Sequence, residues 1–241
     1  MGSPSLLKVE NVTKSFGGLL ALNQCSLVVG EREIIGLIGP NGAGKTTLLN
    51  VISGVLKCDK GQVFFKGKKM TGLSPHEIAR RGVVRTFQIP KVYQRMTLWE
   101  NLVVASRVEN TVKRAVELLD FADLRGSKDE LAGVLSYGQQ KFFYIIRALM
   151  VNPSLLMLDE PTAGLNSLEK DKMMNFVHYL NDKFQMTFLI IEHDMNVIER
   201  HCNRVNVLHY GENIAEGTFE EIRKEKKVRE AYFGEETGQG G

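Results

Sequence analysis

Cysteine is scarce: three residues in 241, at positions 25, 58 and 202, odd in number, far apart and without metal-type spacing. That pattern argues against a disulfide framework and a zinc site and fits a reducing cytoplasm. Long apolar runs are missing too. No stretch approaches the roughly 18 consecutive apolar residues that a spanning helix needs, and the N-terminus has no signal-peptide apolar region. Any role at a membrane therefore requires partner chains. Gly2 offers no lipid anchor, because the myristoylation motif wants Ser or Thr where Leu6 stands. Charge of one sign is also lacking: 31 Lys and Arg against 28 Asp and Glu leave a net charge of +3, too small to imply a nucleic-acid partner. The one basic cluster, residues 223–229, reads as a solvated helix face. There is no internal repeat, and the only low-complexity segment is the Gly-rich tail after Glu236. That tail, 237–241, and residues 1–5 are expected to be disordered, which leaves 6–236 as the folded domain.

What is present can bury a full core: 43% of the residues are hydrophobic and 24% charged, enough for one large domain or two closely joined lobes. Within residues 7–38, β-rich runs such as KVENVTKSF and CSLVV are interrupted by Gly17-Gly18 and Gly30, a pattern of antiparallel strands. EIIGLIG at 33–39 differs, being almost continuously apolar, as a central strand covered on both faces must be. A glycine loop follows and leads into the helix TTLLNVISG, which Gly54 stops. Four further helix starts pair an N-cap residue with a Glu three positions on: Ser74 with Glu77, Thr97 with Glu100, Asn166 with Glu169, and Thr218 with Glu221. From about 90 to 150 the β-type runs vanish and helical periodicity takes over, as in ENTVKRAVELLDFADL, so a helical insertion is predicted there. Strand-like runs return at LLMLD, TFLIIEH and RVNVLH. The predicted class is α/β.

Gly39-Pro40-Asn41-Gly42-Ala43-Gly44-Lys45-Thr46 fits the P-loop pattern GxxxxGK(S/T), with a strand before it and a helix after it as its chemistry requires. Glycines let backbone N–H groups wrap phosphates, Lys45 reaches the outer phosphates, and the Thr46 hydroxyl suits magnesium, with Thr47 beside it in the helix start. Asp159 and Glu160 end the apolar run 155–158, where a carboxylate meets magnesium at the C-terminal edge of a sheet. Asp159 is the candidate metal ligand and Glu160 the candidate to polarise attacking water, since phosphoryl transfer needs positioning more than covalent help. His193 ends TFLIIE and can bond a γ-phosphate or that water, although a lone histidine there is more often structural. Gln88, in RTFQIP, sits where the helical insertion begins and can touch magnesium or water; its plain alternative is a polar loop residue. Phe16 can stack on a purine, against the default of a core aromatic. Ser136, with Gln139 three residues on, caps a helix ending near Met150; a capped N-terminus, with Gly138 beside it, is also an anion site.

Taken together, the P-loop, Gln88, LSYGQQ at 135–140, LLMLDEP at 155–161, AGLN at 163–166 and His193 resemble the nucleotide-binding subunit of ABC transporters over about residues 6–234. The resemblance implies a P-loop NTPase core with an N-terminal antiparallel β subdomain and an inserted α-helical subdomain, using ATP and Mg2+. It implies a head-to-tail dimer with a second ATP-binding subunit, identical or paralogous, in which Ser136, Gly138 and Gln139 of one subunit close over ATP on the other's P-loop. It also implies docking of the helical insertion on transmembrane permease subunits at the cytoplasmic face of the membrane, with Gln88 in the coupling path and a solute-binding protein as an indirect partner. RTFQ, MTLWENL, EPTAGLN, Tyr137, Asn166 and the segment IAEGTFEEIRKEKKVREAYFGEE look like the ATPases of branched-chain amino-acid importers. Lys141 stands where that group usually has Arg, and Phe142-Phe143-Tyr144 replaces a more polar stretch. Other readings are a lipid or lipopolysaccharide exporter ATPase, a soluble ABC-type ATPase, and a P-loop small-molecule kinase, in which LSYGQQ would have no job.

Overall fold

A computed structural model describes residues 5–106 and 111–233. Residues 1–4 of the expected N-terminal arm, the expected tail 237–241 and the beginning of the ENTVKRAVELLDFADL stretch lie outside the described residues. The chain opens with two long antiparallel strands, β1 (Ser5–Phe16) and β2 (Leu19–Gly30), joined at Gly17-Gly18, both with positive φ. Ser5, expected in a disordered arm, instead pairs with Gly30. The two apolar residues that follow it, Leu6 and Leu7, are buried and draw the strand start onto the core.

Next comes β3 (Ile34–Ile38), then α1 (Lys45–Ile52), which ends as expected just before Gly54. Gly54 has φ +74, and a Cβ there would lie 2.6 Å from the Leu73 carbonyl, so the helix stop needs glycine. β4 (Lys60–Phe65) and β5 (Lys68–Lys69) complete a four-stranded sheet in the order β2-β1-β4-β5, antiparallel at every pairing.

A second sheet carries the site. After α2 (Pro75–Arg80) come β6 (Val83–Arg85), three helices, α3 (Leu98–Ala105), α4 (Thr111–Phe121) and α5 (Tyr137–Leu149), and then β7 (Leu155–Asp159). α6 (Ser167–Phe184), β8 (Thr187–Ile191), α7 (Met195–His201), β9 (Arg204–His209), β10 (Glu212–Gly217), α8 (Phe219–Ile222) and α9 (Lys226–Phe233) follow. The sheet order is β10-β9-β3-β8-β7-β6, parallel except for β10.

β3, β7 and β8 are buried at every position, which is why they read as unbroken apolar runs. Their side chains alternate between two cores. Leu156, Leu158, Phe188 and Ile190 pack with α5 and α6, whereas Leu155, Met157, Leu189 and Ile191 pack with α1 and the antiparallel sheet. Each such side chain contributes about 1.5–3 kcal/mol through burial. All parallel strands therefore end at one edge, and the polar residues singled out after β3, β7 and β8 gather there, at the strand ends, in the loops and in the first turn of α1.

Each of the four predicted capping pairs forms a reciprocal box, and Ser136 with Gln139 makes a fifth. The unusual Phe142-Phe143-Tyr144 run is buried; Phe142 packs on Phe176, and the Tyr144 hydroxyl accepts the Phe87 N–H. Asn101, fully buried in α3, accepts the Tyr93 N–H and offers its amide group to the carbonyls of Tyr93, Met96 and Thr97. The basic run 223–229 is not one helix face: Arg223 and Lys224 lie in the turn after α8 and 226–229 open α9, with Ile222 and Val228 buried beneath it.

Candidate active site

β3 ends at Ile38 and the chain turns at once into α1, a turn that only glycine can make at two positions. At Gly39 (φ +152) a Cβ would lie 2.1 Å from the Leu208 carbonyl, and at Gly44 (φ +103) 2.5 Å from the Ala21 carbonyl. Lys45 is nearly buried, and its ammonium donates to the carbonyls of Gly39 at 2.6 Å and Pro40 at 3.0 Å. Burial lowers its proton affinity, opposed by the nearby Glu160 and Asp159 carboxylates. Thr46, next along, is exposed. A cleft of about 650 Å³ opens here, lined by residues 40–47 and by Phe16, Leu20, Glu160, His193 and Tyr210. Phe16 is 44% exposed on that cleft, which removes the core-aromatic alternative, and Lys14 Nζ lies 5.4 Å from its ring centre.

Parallel pairing of Asp159 with Ile191 brings the ends of β7 and β8 level, and the Glu160 N–H donates to the Ile191 carbonyl at 2.9 Å. Glu160 and His193 consequently leave the sheet side by side. His193 Nε2 lies 3.1 Å from Glu160 Oε1; a carboxylate can only accept, so this is a hydrogen bond when Nε2 carries the proton. On the other oxygen, Gln88 Nε2 donates to Glu160 Oε2 at 2.7 Å. Glu160 itself has φ +51, a left-handed conformation uncommon for a residue with a side chain. Asp159 accepts on Oδ2 from the Arg85 guanidinium at 2.6 Å, and Arg85 also donates to Asn50 of α1.

Ser136, Gly138 and Gln139 do not line this cleft. Ser136 Oγ accepts the Gln139 N–H at 3.3 Å while Gln139 Oε1 accepts the Ser136 N–H at 3.0 Å, so the start of α5 is capped with both side chains exposed. Gly138 is buried against α6, where a Cβ would meet Glu169 Oε1 at 2.8 Å. Tyr137 packs over Gly164, where a Cβ would lie 3.0 Å from its ring.

Sequence reasoning assigned no role to three residues that support the site. Arg85 was inside RTFQ but gave no sign of its partner. Glu192 left a trace: a charged residue extends an otherwise apolar strand. It is 3% exposed and accepts from both the N–H and hydroxyl of Thr162 at 2.7 Å. Lys141, 4% exposed, donates to the carbonyls of Glu160 at 2.9 Å and Pro161 at 3.2 Å.

Comparison with known proteins agrees with this geometry. The family model for ABC transporters matches residues 22–163, and that for branched-chain amino-acid ATP-binding cassette transporters matches residues 212–237. The high-affinity branched-chain amino acid transport ATP-binding protein BraF of Pseudomonas aeruginosa is 39% identical over 253 residues, covering 97% of this chain and 99% of its own. LivG of Escherichia coli, another such transport protein, is 37% identical over 253 residues, with coverage of 97% and 99%. Among solved structures, an ATP-binding cassette of an ABC transporter in its ADP conformation is 37% identical, with a TM-score of 0.88 over 97% of this chain and 100% of that one. A dimeric bacterial ABC transporter cassette is 32% identical, with a TM-score of 0.76 over 88% and 98%. This chain is an ATP-binding and ATP-hydrolysing subunit of the ABC transporter family, in the group of the branched-chain amino acid transport ATP-binding proteins.

Proposed function

We propose that the chain powers uptake of branched-chain amino acids by closing as a dimer over ATP and reopening after hydrolysis. The observation that carries the catalytic part is Glu160, held on one oxygen by Gln88 and near His193 on the other, beside the P-loop. A carboxylate held by Gln88 on one oxygen, with His193 beside the other, can orient a water molecule and accept its proton as the water attacks phosphorus. Lys45 and the N-terminus of α1 balance charge on the phosphates, and Phe16 stacks on the base.

The glycine cradle, which any Cβ at Gly39 or Gly44 would fill, fits a phosphate chain, and the oxygen donors of Thr46, Asp159 and Gln88 fit magnesium. Magnesium bound there supplies charge neutralisation at the phosphate oxygens. Asp159 anchors that donor set through its buried contact with Arg85.

The capped, outward-facing start of α5 supports the dimer: Ser136, Gly138 and Gln139 form an anion site that lies outside their own chain's cleft and suits the γ-phosphate held by a second copy. Switching such a pair from about 1% to 99% closed takes roughly 5.5 kcal/mol of differential affinity. Charge-assisted hydrogen bonds of about 1.5–3 kcal/mol each, two or three per phosphate, suffice. No described helix is long and apolar enough to cross a membrane, so transport requires permease subunits, against which the helical region docks at the cytoplasmic face. Reconstitution with two such permeases in vesicles, with labelled leucine outside and ATP on the ATPase side, tests the whole reading. ATP-dependent accumulation is expected; equal accumulation without ATP, or none for any branched-chain amino acid, overturns it.

A further inference from the structure

We propose that Lys141 is a positioning residue for hydrolysis: from α5 it works with Glu192, just past the end of β8, to hold the turn that aims Glu160. The proposal rests on the reading of Glu160 as the residue that orients water.

Glu160 leaves β7 in a left-handed conformation, and Pro161 and Thr162 follow it. That backbone stays in place because its groups are held from two sides. Lys141 approaches from α5, and one ammonium takes both the Glu160 and Pro161 carbonyls. Glu192, just past β8, takes the Thr162 N–H and hydroxyl and lies near the His193 N–H, at 3.3 Å. Lys141, Glu192 and Thr162 are all almost completely buried, so water cannot replace either set of bonds. Glu192 also acts electrostatically on Lys141, opposing the loss of its proton through burial.

The arrangement has a directional consequence. α5 carries Ser136 and Gln139 at its exposed start and Lys141 little more than one turn later. A displacement of α5 is thus delivered to the backbone of its own chain's Glu160, through a side chain that touches no nucleotide. Lys and Arg both supply several donors from a cationic head, whereas Met and Gln of similar length do not.

The test measures ATP hydrolysis and nucleotide binding by the full chain. Lys141→Met should lower kcat about tenfold or more, as misplacement of a reacting group does, and leave ATP affinity within about threefold. Lys141→Arg should restore most of the rate. Lys141→Met combined with Glu192→Gln should be no slower than Lys141→Met alone, because both act on one turn. If Lys141→Met does not fold, Lys141→Gln and Glu192→Gln take its place with the same expectation for kcat. A folded variant with wild-type kcat overturns the proposal, as does a loss that appears only in ATP affinity or that Arg fails to recover. Glu160→Gln is measured alongside: if it keeps wild-type turnover, the reading of Glu160 fails, whereas a stalled Glu160→Gln with a fast Lys141→Met rejects the role of Lys141 alone.

Discussion

Arg85 and Asp159 form an ion pair at 2.6 Å in which the two side chains retain only 3% and 9% of their exposure. Removing one partner of such a pair leaves the other charged and desolvated. Arg85→Met is expected to destabilise the fold by about 3 kcal/mol, and urea unfolding of the purified chain measures it. Arg85→Lys should recover part of that loss. Unfolding midpoints identical to wild type for Arg85→Met would show that the pair contributes nothing.

Glu160→Gln keeps the shape that Gln88 and His193 hold but removes the proton acceptor. ATP binding should persist while kcat falls about a hundredfold or more. With ATP present, this variant should run as a dimer on a sizing column. Turnover at the wild-type rate excludes Glu160 as the base.

Ser136→Arg places a long cation at the capped start of α5, away from the chain's own P-loop. ATP affinity of the monomer should stay unchanged, and ATP-induced dimerisation in the Glu160→Gln background should disappear. Dimerisation that survives the change counts against the shared site.

His178 and His201 bring ring nitrogens within 3.1 Å between α6 and α7. Burial, then the neighbouring His178, lowers the proton affinity of His201 below its ordinary value of 6.5. The unfolded chain therefore binds more protons than the folded one as pH falls below 6.5, and acid favours unfolding. Stability should decline on acidification through that window and level off above it. His201→Gln should flatten this part of the profile; an unchanged slope in denaturant unfolding between pH 7 and 5 would exclude the pair as its source.

Features written in local spacing were legible from the sequence. The P-loop lies within eight residues, and each capping box within four, so the pattern and the interaction coincide. The alternation of β3, β7 and β8 between two cores is likewise a property of continuous apolar runs. Partnerships across strands left no such mark: Gln88 meets Glu160 over 72 residues of separation, and Arg85 meets Asp159 over 74. Gln88 stands out because it sits where the helical insertion begins; Arg85, three residues earlier, carries no such positional sign. Ser5 was misread because a short polar start looks disordered until Gly30 is available to pair with it. The run 223–229 reads as one charged face because nothing between Arg223 and Glu225, where the chain passes from α8 to α9, is a helix breaker in sequence terms.

Asn101 saturates the backbone groups of the segment just before α3, joining Tyr93, Met96 and Thr97 to a single buried amide. That knot ties residues 93–101 into one hydrogen-bonded block. Any swing of the helical region relative to the catalytic sheet must then pivot upstream, in the short stretch between Thr86, still bonded to Met157, and Tyr93. Gln88 lies inside that stretch, so the pivot and the residue gripping Glu160 share the same few peptide units, and bending there cannot leave the grip undisturbed.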